Sequence, residues 1–194
     1  MSDAGLGRDD ILDAAEGVLR RYGPAKTTVV DVARALNVSH GSIYRHFESK
    51  AALRDAVAGR WLHRVADPLA AIAADGDPAP ARLRRWFDRL IGIKRRLAAD
   101  DPELFATYHT LAGGAREVVE GHIAELTGQI ATILEAGVAE GAFTAADPDR
   151  TALALFIATA KFHHPAHAAS WTAEAGLRHF DTVWELLMDG LRPR

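Results

Sequence analysis

The sequence predicts an all-α fold of about nine helices, with a division near residue 50. Three observations carry this. Apolar residues recur at spacings of three and four, the period of a helix with one buried face. Glycine and proline fall between these segments, where helices stop. No stretch alternates apolar and polar as a half-buried strand would.

The elements follow in order. Helix one is expected over about 9–22, where Ile11, Leu12, Ala15, Val18, Leu19 and Tyr22 make one stripe, and Gly23-Pro24 ends it. Helix two starts at Thr28, a capping residue with Asp31 as its box partner, and ends near Leu36. Asn37 suits a left-handed turn, and Ser39 caps a short third helix ending near Phe47. Ser49 caps a fourth helix reaching Asp67-Pro68, where a kink or stop is expected. Helix five follows Pro78 and runs to about Ala99. Helix six opens on Asp101-Pro102, a cap with proline in the first turn. Helix seven spans 115–140, between Gly113-Gly114 and Gly141. Helix eight opens on Asp147-Pro148 and ends at His163-His164-Pro165, and helix nine covers about 172–191.

Composition narrows the function classes. Hydrophobic residues make up 48% and charged residues 25% of the chain, ordinary for a globular protein. There is no cysteine, so disulfide and thiolate chemistry are excluded. The polar N-terminus is unlike a signal peptide, and the longest apolar run, 152–160, is far too short for a bilayer. The chain is expected to be cytoplasmic. Charge is unevenly placed. Between Arg20 and Arg54 seven cations face two carboxylates, a local +5 in a chain of net −3. A basic island on an acidic body points to contact with a polyanion.

The segment 38–50, VSHGSIYRHFESK, lies within that island. Helices two and three with the Asn37-Val38 turn fit a helix-turn-helix. Val32, Leu36, Val38, Ile43 and Phe47 are spaced to bury together against helix one. Ser39, His40, Ser42, Tyr44, Arg45 and His46 are left directed outward or to the flanks, a donor-rich set suited to base edges and phosphates. Gly41, in the first turn, costs helix stability by about 1 kcal/mol relative to alanine and permits close approach to a groove wall.

The stretch from Thr27 to Leu53, TTVVDVARALNVSHGSIYRHFESKAAL, resembles the DNA-binding signature of the tetracycline-repressor (TetR) family of bacterial transcriptional regulators. Asn37 stands where that family usually has glycine. The resemblance implies a DNA-binding domain over 1–54 and an effector-binding and dimerisation domain over 55–194. It also implies a homodimer that sets two recognition helices on a pseudo-palindromic double-stranded operator. On that mapping His40, Gly41, Ser42 and Arg45 contact bases, and Thr28, Ser39, Tyr44, His46 and Lys50 contact phosphates.

The remainder resembles the family only in helix order. Its last two helices would pair across the dimer through Leu153, Phe156, Ile157, Leu177, Phe180, Trp184 and Leu187, although an intramolecular core would show the same pattern. An effector pocket is expected from Trp86, Phe87, Leu90, Phe105, Tyr108 and His109, with Phe162 and His163 closing it. Such a lining suits a small apolar or aromatic molecule, and no cofactor is expected. Effector binding would favour a conformation whose heads no longer match half-sites roughly 34–36 Å apart, with helix four as lever. A ligand-independent regulator or an activator would share this sequence. A metal sensor built on His163, His164 and His167 is disfavoured, because Pro165 should bend the helix between them. An enzyme is not expected: no nucleophile elbow, no phosphate loop and no carboxylate pair at a readable spacing is present.

Overall fold

The computed structural model describes residues 5–171 and 175–193, and the side chains of 175–178 lie outside the description. Ten α-helical segments and a 3-10 turn are found among the described residues, and no strand. In order they are α1 (Arg8–Lys26), α2 (Val29–Ala35), α3 (His40–Tyr44), α4 (Lys50–Ala73), α5 (Ala79–Asp100), α6 (Pro102–Gly113) and α7 (Arg116–Ala139). Then come α8 (Pro148–Ala158), α9 (Ala160–His163), the 3-10 turn Pro165–Ser170 and α10 (Ala175–Leu191).

The chain divides into two compact units, Met1–His63 with Asp101–Glu120, and Arg64–Asp100 with Gly121–Arg194. This division by packing differs from the motif-based boundary at residue 54, because α6 packs on α1. Trp61 stacks on Tyr108 at 4.9 Å with the rings 4° apart, and Arg20 pairs with Asp101 at 3.5 Å. Arg60 ties α4 to α1 through Asp13 and Glu16, at 2.7 and 2.8 Å. The core of this unit includes Ile11, Leu12, Val32, Ile43, Phe47, Val57 and Phe105, all buried.

In the second unit Leu69, Leu83, Trp86, Phe87, Leu90, Ile130, Ile133 and Leu134 are fully buried. Phe143 closes onto α7 at Gly137, where a Cβ would meet its ring at 2.1 Å. Gln129 bridges inside, accepting from Trp86 Nε1 at 3.0 Å and donating to the Ala66 carbonyl at 3.3 Å.

Local signals worked where a single residue type sets the geometry. Gly23, with φ 73, breaks the regular helix where Gly23-Pro24 was expected to end it, although α1 resumes past the kink to Lys26; Asn37 takes φ 55, and Gly141 takes φ 71 after α7. Asp101 and Asp147 cap α6 and α8 through the amides of Leu104 and Arg150. Ser49 accepts from Ala52 N at 3.0 Å.

Three expectations change. Helix four does not stop at Pro68 but continues to Ala73. One proline costs roughly 3 kcal/mol, whereas Val65, Ala66, Leu69 and Ala73 are all buried around it. Burying each large aliphatic among them contributes about 1.5–3 kcal/mol, which outweighs the lost hydrogen bond. Helix three is shorter than expected, ending at Tyr44. Helix eight breaks early, at Thr159, whose hydroxyl donates to the carbonyl of Leu155 at 2.8 Å.

Candidate nucleic-acid interface

Helix α2 is set by a reciprocal cap. Thr28 Oγ1 accepts from Asp31 N at 3.2 Å, and the Asp31 carboxylate accepts from Thr28 N at 3.1 Å and from the Thr28 hydroxyl at 2.6 Å. That hydroxyl bond, with the Arg34 guanidinium as a smaller contribution, holds the Asp31 carboxyl below its ordinary range. Asn37 then reverses the chain. Ser39 caps α3, its Oγ accepting from Ser42 N at 3.2 Å and lying 2.9 Å from Ser42 Oγ.

Burial sorts the candidates for base contact. Ile43 and Phe47 face inward, holding α3 to its scaffold. His40, Gly41, Tyr44 and Arg45 are exposed together. The rings of His40 and Tyr44 meet edge to face at 6.3 Å, which couples their orientations. A Cβ on Gly41 would meet only Ser39 Oγ at 3.6 Å, so the protein itself does not require glycine there. Ser42 is a correction: it is only 3% exposed and meets Ser39, so it faces inward and completes the cap. The period of a short helix had not separated its flank from its floor.

The candidates for phosphate contact divide likewise. Tyr44 and Lys50 are exposed and His46 is half-buried. The Thr28 and Ser39 hydroxyls are already spent on their caps. The basic residues Arg20, Arg21, Lys26, Arg34, Arg45 and Lys50 are all exposed, with Arg54 half-buried.

Arg8 had no distinguishing signal in the sequence. Its guanidinium lies 4.2 Å from the Phe47 ring centroid and donates to the His46 carbonyl at 3.0 Å, pinning the end of the recognition segment.

In the second unit, the residues expected to line an effector pocket fall in separate places. Trp86, Phe87 and Leu90 are core. Rings run on from Trp86 to Phe87 (5.0 Å), Trp184 (5.6 Å), Phe180 (5.8 Å) and Phe162 (5.2 Å). Phe105 and Tyr108 belong instead to the core of the N-terminal unit, and His109 is exposed. His163 is buried, its Nε2 3.2 Å from both Thr159 Oγ1 and the Phe156 carbonyl. Burial first, and then the charge of Lys94, push its pKa down to about 3. Burial also lowers Lys94 to about 8. His164 and His167 are exposed, and His164 Nδ1 accepts from Ala166 N. The three imidazoles therefore have different tasks and do not converge as a ligand set.

The expected dimer residues also separate. Phe180 and Trp184 are corrected to the protomer's own core, where the Arg84 guanidinium lies 5.2 and 5.6 Å from their rings and pairs with Asp181 at 2.6 Å. Leu153 and Ile157 of α8 remain 44% and 64% exposed, and Leu186 of α10, which the stripe had passed over, 70%. Phe156 and Leu187 are half-buried, and the side chain of Leu177 lies outside the described residues. No helix among the described residues is long and apolar enough to cross a membrane.

Comparison with known proteins agrees with this geometry. An HTH-type transcriptional regulator of Mycobacterium tuberculosis, itself uncharacterised, is 33% identical over 107 residues, 54% of this chain and 50% of that protein. The regulator TtgR of Pseudomonas putida is 39% identical over 70 residues, 36% of this chain and 33% of its own. The chain thus spans about half the length or less of these relatives. In fold it is similar to SmeT, the repressor of the Stenotrophomonas maltophilia multidrug efflux pump SmeDEF, with a TM-score of 0.73 at 18% identity, covering 99% of this chain and 93% of SmeT. Residues 11–57 match the family pattern described as bacterial regulatory proteins, tetR family, and residues 79–184 match the tetracyclin repressor-like C-terminal domain. With that C-terminal pattern covering more than half of its length, the chain belongs to the TetR family.

Proposed function

We propose that the protein is a DNA-binding transcriptional repressor that acts as a homodimer on a pseudo-palindromic operator and is released by a small apolar or aromatic molecule. The observation that carries this is α3: a capped helix whose inner residues fix it to the core while His40, Gly41, Tyr44 and Arg45 stand exposed within a basic surface. Arg45 reads a base edge, suited to a guanine through two parallel hydrogen bonds. His40 sets preference beside it and Gly41 lets the helix approach. Tyr44, His46 and Lys50 position the protein on phosphates, and the Thr28 and Ser39 caps orient the helices for them.

The dimer forms through the apolar residues that α8 and α10 leave exposed, Leu153, Ile157 and Leu186, with Phe156 and Leu187 at their edges. The effector enters at the aromatic cluster of the second unit, around Trp86, Phe87 and Phe162, with His163 as a neutral polar group nearby. SmeT has been solved in complex with triclosan, which supports an aromatic ligand for this fold. The protein works in the cytoplasm, where its operator lies.

The test is selection of bound DNA from a random pool by the full-length protein, followed by titration of the selected duplex with triclosan. Enrichment of a two-fold-symmetric site, and its release by the ligand, is the expected result. A pool that stays unenriched at low salt refutes the reading.

A further inference from the structure

Most arginines of the N-terminal unit are held by carboxylates. Arg20 pairs with Asp101 at 3.5 Å, Arg34 with Asp31 at 3.2 Å, Arg54 with Asp55 at 3.4 Å, and Arg60 with Asp13 and Glu16 at 2.7 and 2.8 Å. Arg8, exposed at the start of α1, is held differently. Its guanidinium lies 4.2 Å from the Phe47 ring centroid, and Nη1 donates to the His46 carbonyl at 3.0 Å. No carboxylate among the described residues pairs with it. Its near neighbour Asp10 is turned instead to the Gly7 amide, at 2.8 Å.

The two kinds of anchoring differ in what they leave. A carboxylate fixes a guanidinium and cancels its charge. A ring face and a neutral carbonyl fix it and leave the charge whole. The His46 carbonyl engages one of the guanidinium's five N–H groups, so most of a planar fork that matches a phosphate stays open on an exposed side chain. Ordering a long side chain costs entropy, and here the ordering precedes any binding. The place is specific too. The carbonyl that Arg8 holds lies one residue from Arg45, in the segment proposed above to lie on DNA.

We infer that Arg8 is a further phosphate contact of the DNA-binding surface, preset by the Phe47 ring and the His46 carbonyl. This rests on the function proposed above. One guanidinium then ties a backbone phosphate to the end of the recognition segment, and α1 joins α3 and α4 in gripping the duplex. Arg8 adds no base preference, because a phosphate is the same at every step.

The experiment measures binding of the full-length parent, Arg8→Gln and Arg8→Lys to the selected duplex and to a scrambled one across a salt series, with Tm recorded for each protein. Arg8→Gln should weaken both duplexes about fivefold and reduce the slope of log affinity against log salt by about one. Arg8→Lys keeps the charge and should restore the parent's slope. A role confined to bracing Phe47 and His46 would lower Tm and leave the slope unchanged. An Arg8→Gln slope equal to the parent's therefore overturns the proposal, as does an Arg8→Lys slope no steeper than that of Arg8→Gln. Weakening of the selected duplex alone overturns it as well, since that marks a base contact. With the parent binding normally, each of these results refutes the role of Arg8 and leaves the proposed function standing. A parent that binds neither duplex at low salt refutes both.

Discussion

Arg45 and Lys50 are both exposed cations near one surface, yet they are assigned different work. A guanidinium paired to guanine discriminates by about 1–3 kcal/mol against other bases. Arg45→Ala should therefore bind selected and scrambled sites more equally in competitive gel shifts. Lys50→Ala should weaken every sequence alike and reduce the slope of log affinity against log salt by about one. His163 bears on stability instead. Its folded pKa, about 3, lies below the ordinary imidazole value of 6.5, so the unfolded chain takes up the proton first as pH falls. The stability this group contributes is complete above about 6.5 and drains as the pH approaches 3. Urea midpoints measured from pH 7 to pH 4 should fall, and His163→Phe should flatten that slope.

At the scale of elements, the recognition segment is positioned by caps and by one neighbouring cation rather than by its own length. Helix α3 has five residues, too few to hold together alone. It is held by the Ser39 cap, by Ile43 and Phe47 beneath, and by Arg8 over Phe47. Helix α2 depends on the Thr28–Asp31 box in the same way. Thr28→Ala should cost about 1 kcal/mol, a lowering of Tm by about 2–4 °C in calorimetry, and weaken all DNA sequences equally. Helix α4 is the opposite case. Long and buried on both sides of Pro68, it persists through a residue that usually ends a helix.

For the whole molecule, the sign of the net charge misleads and its placement does not. The −3 total conceals a local excess of +5 between Arg20 and Arg54, whose cations are exposed except for the half-buried Arg54. Local contact with DNA is compatible with that, whereas coating a polyanion is not. The apolar side chains left outside by α8 and α10 bear on assembly. Ile157→Glu would place a charge in the proposed two-fold contact and should convert the dimer to monomer in size-exclusion chromatography. Operator affinity should then fall about 100-fold or more, because each half-site would be bound alone.

The sequence by itself determined the all-α class, most helix starts, the left-handed turn at Asn37 and the helix-turn-helix with its buried Ile43 and Phe47. Each depends on local chemistry: a capping oxygen, a missing Cβ, a proline ring, or a period of 3.6 residues. What the tertiary structure alone decided is which of several compatible faces goes inward. Ser42 turns to Ser39, Phe180 and Trp184 turn into their own protomer's core, and Phe105 and Tyr108 join Trp61 in the N-terminal unit. Pro68 is carried through because the residues around it are buried by other helices. A helical stripe records that a face is covered but not by what. The covering is a contact between residues distant in sequence, and only packing selects it.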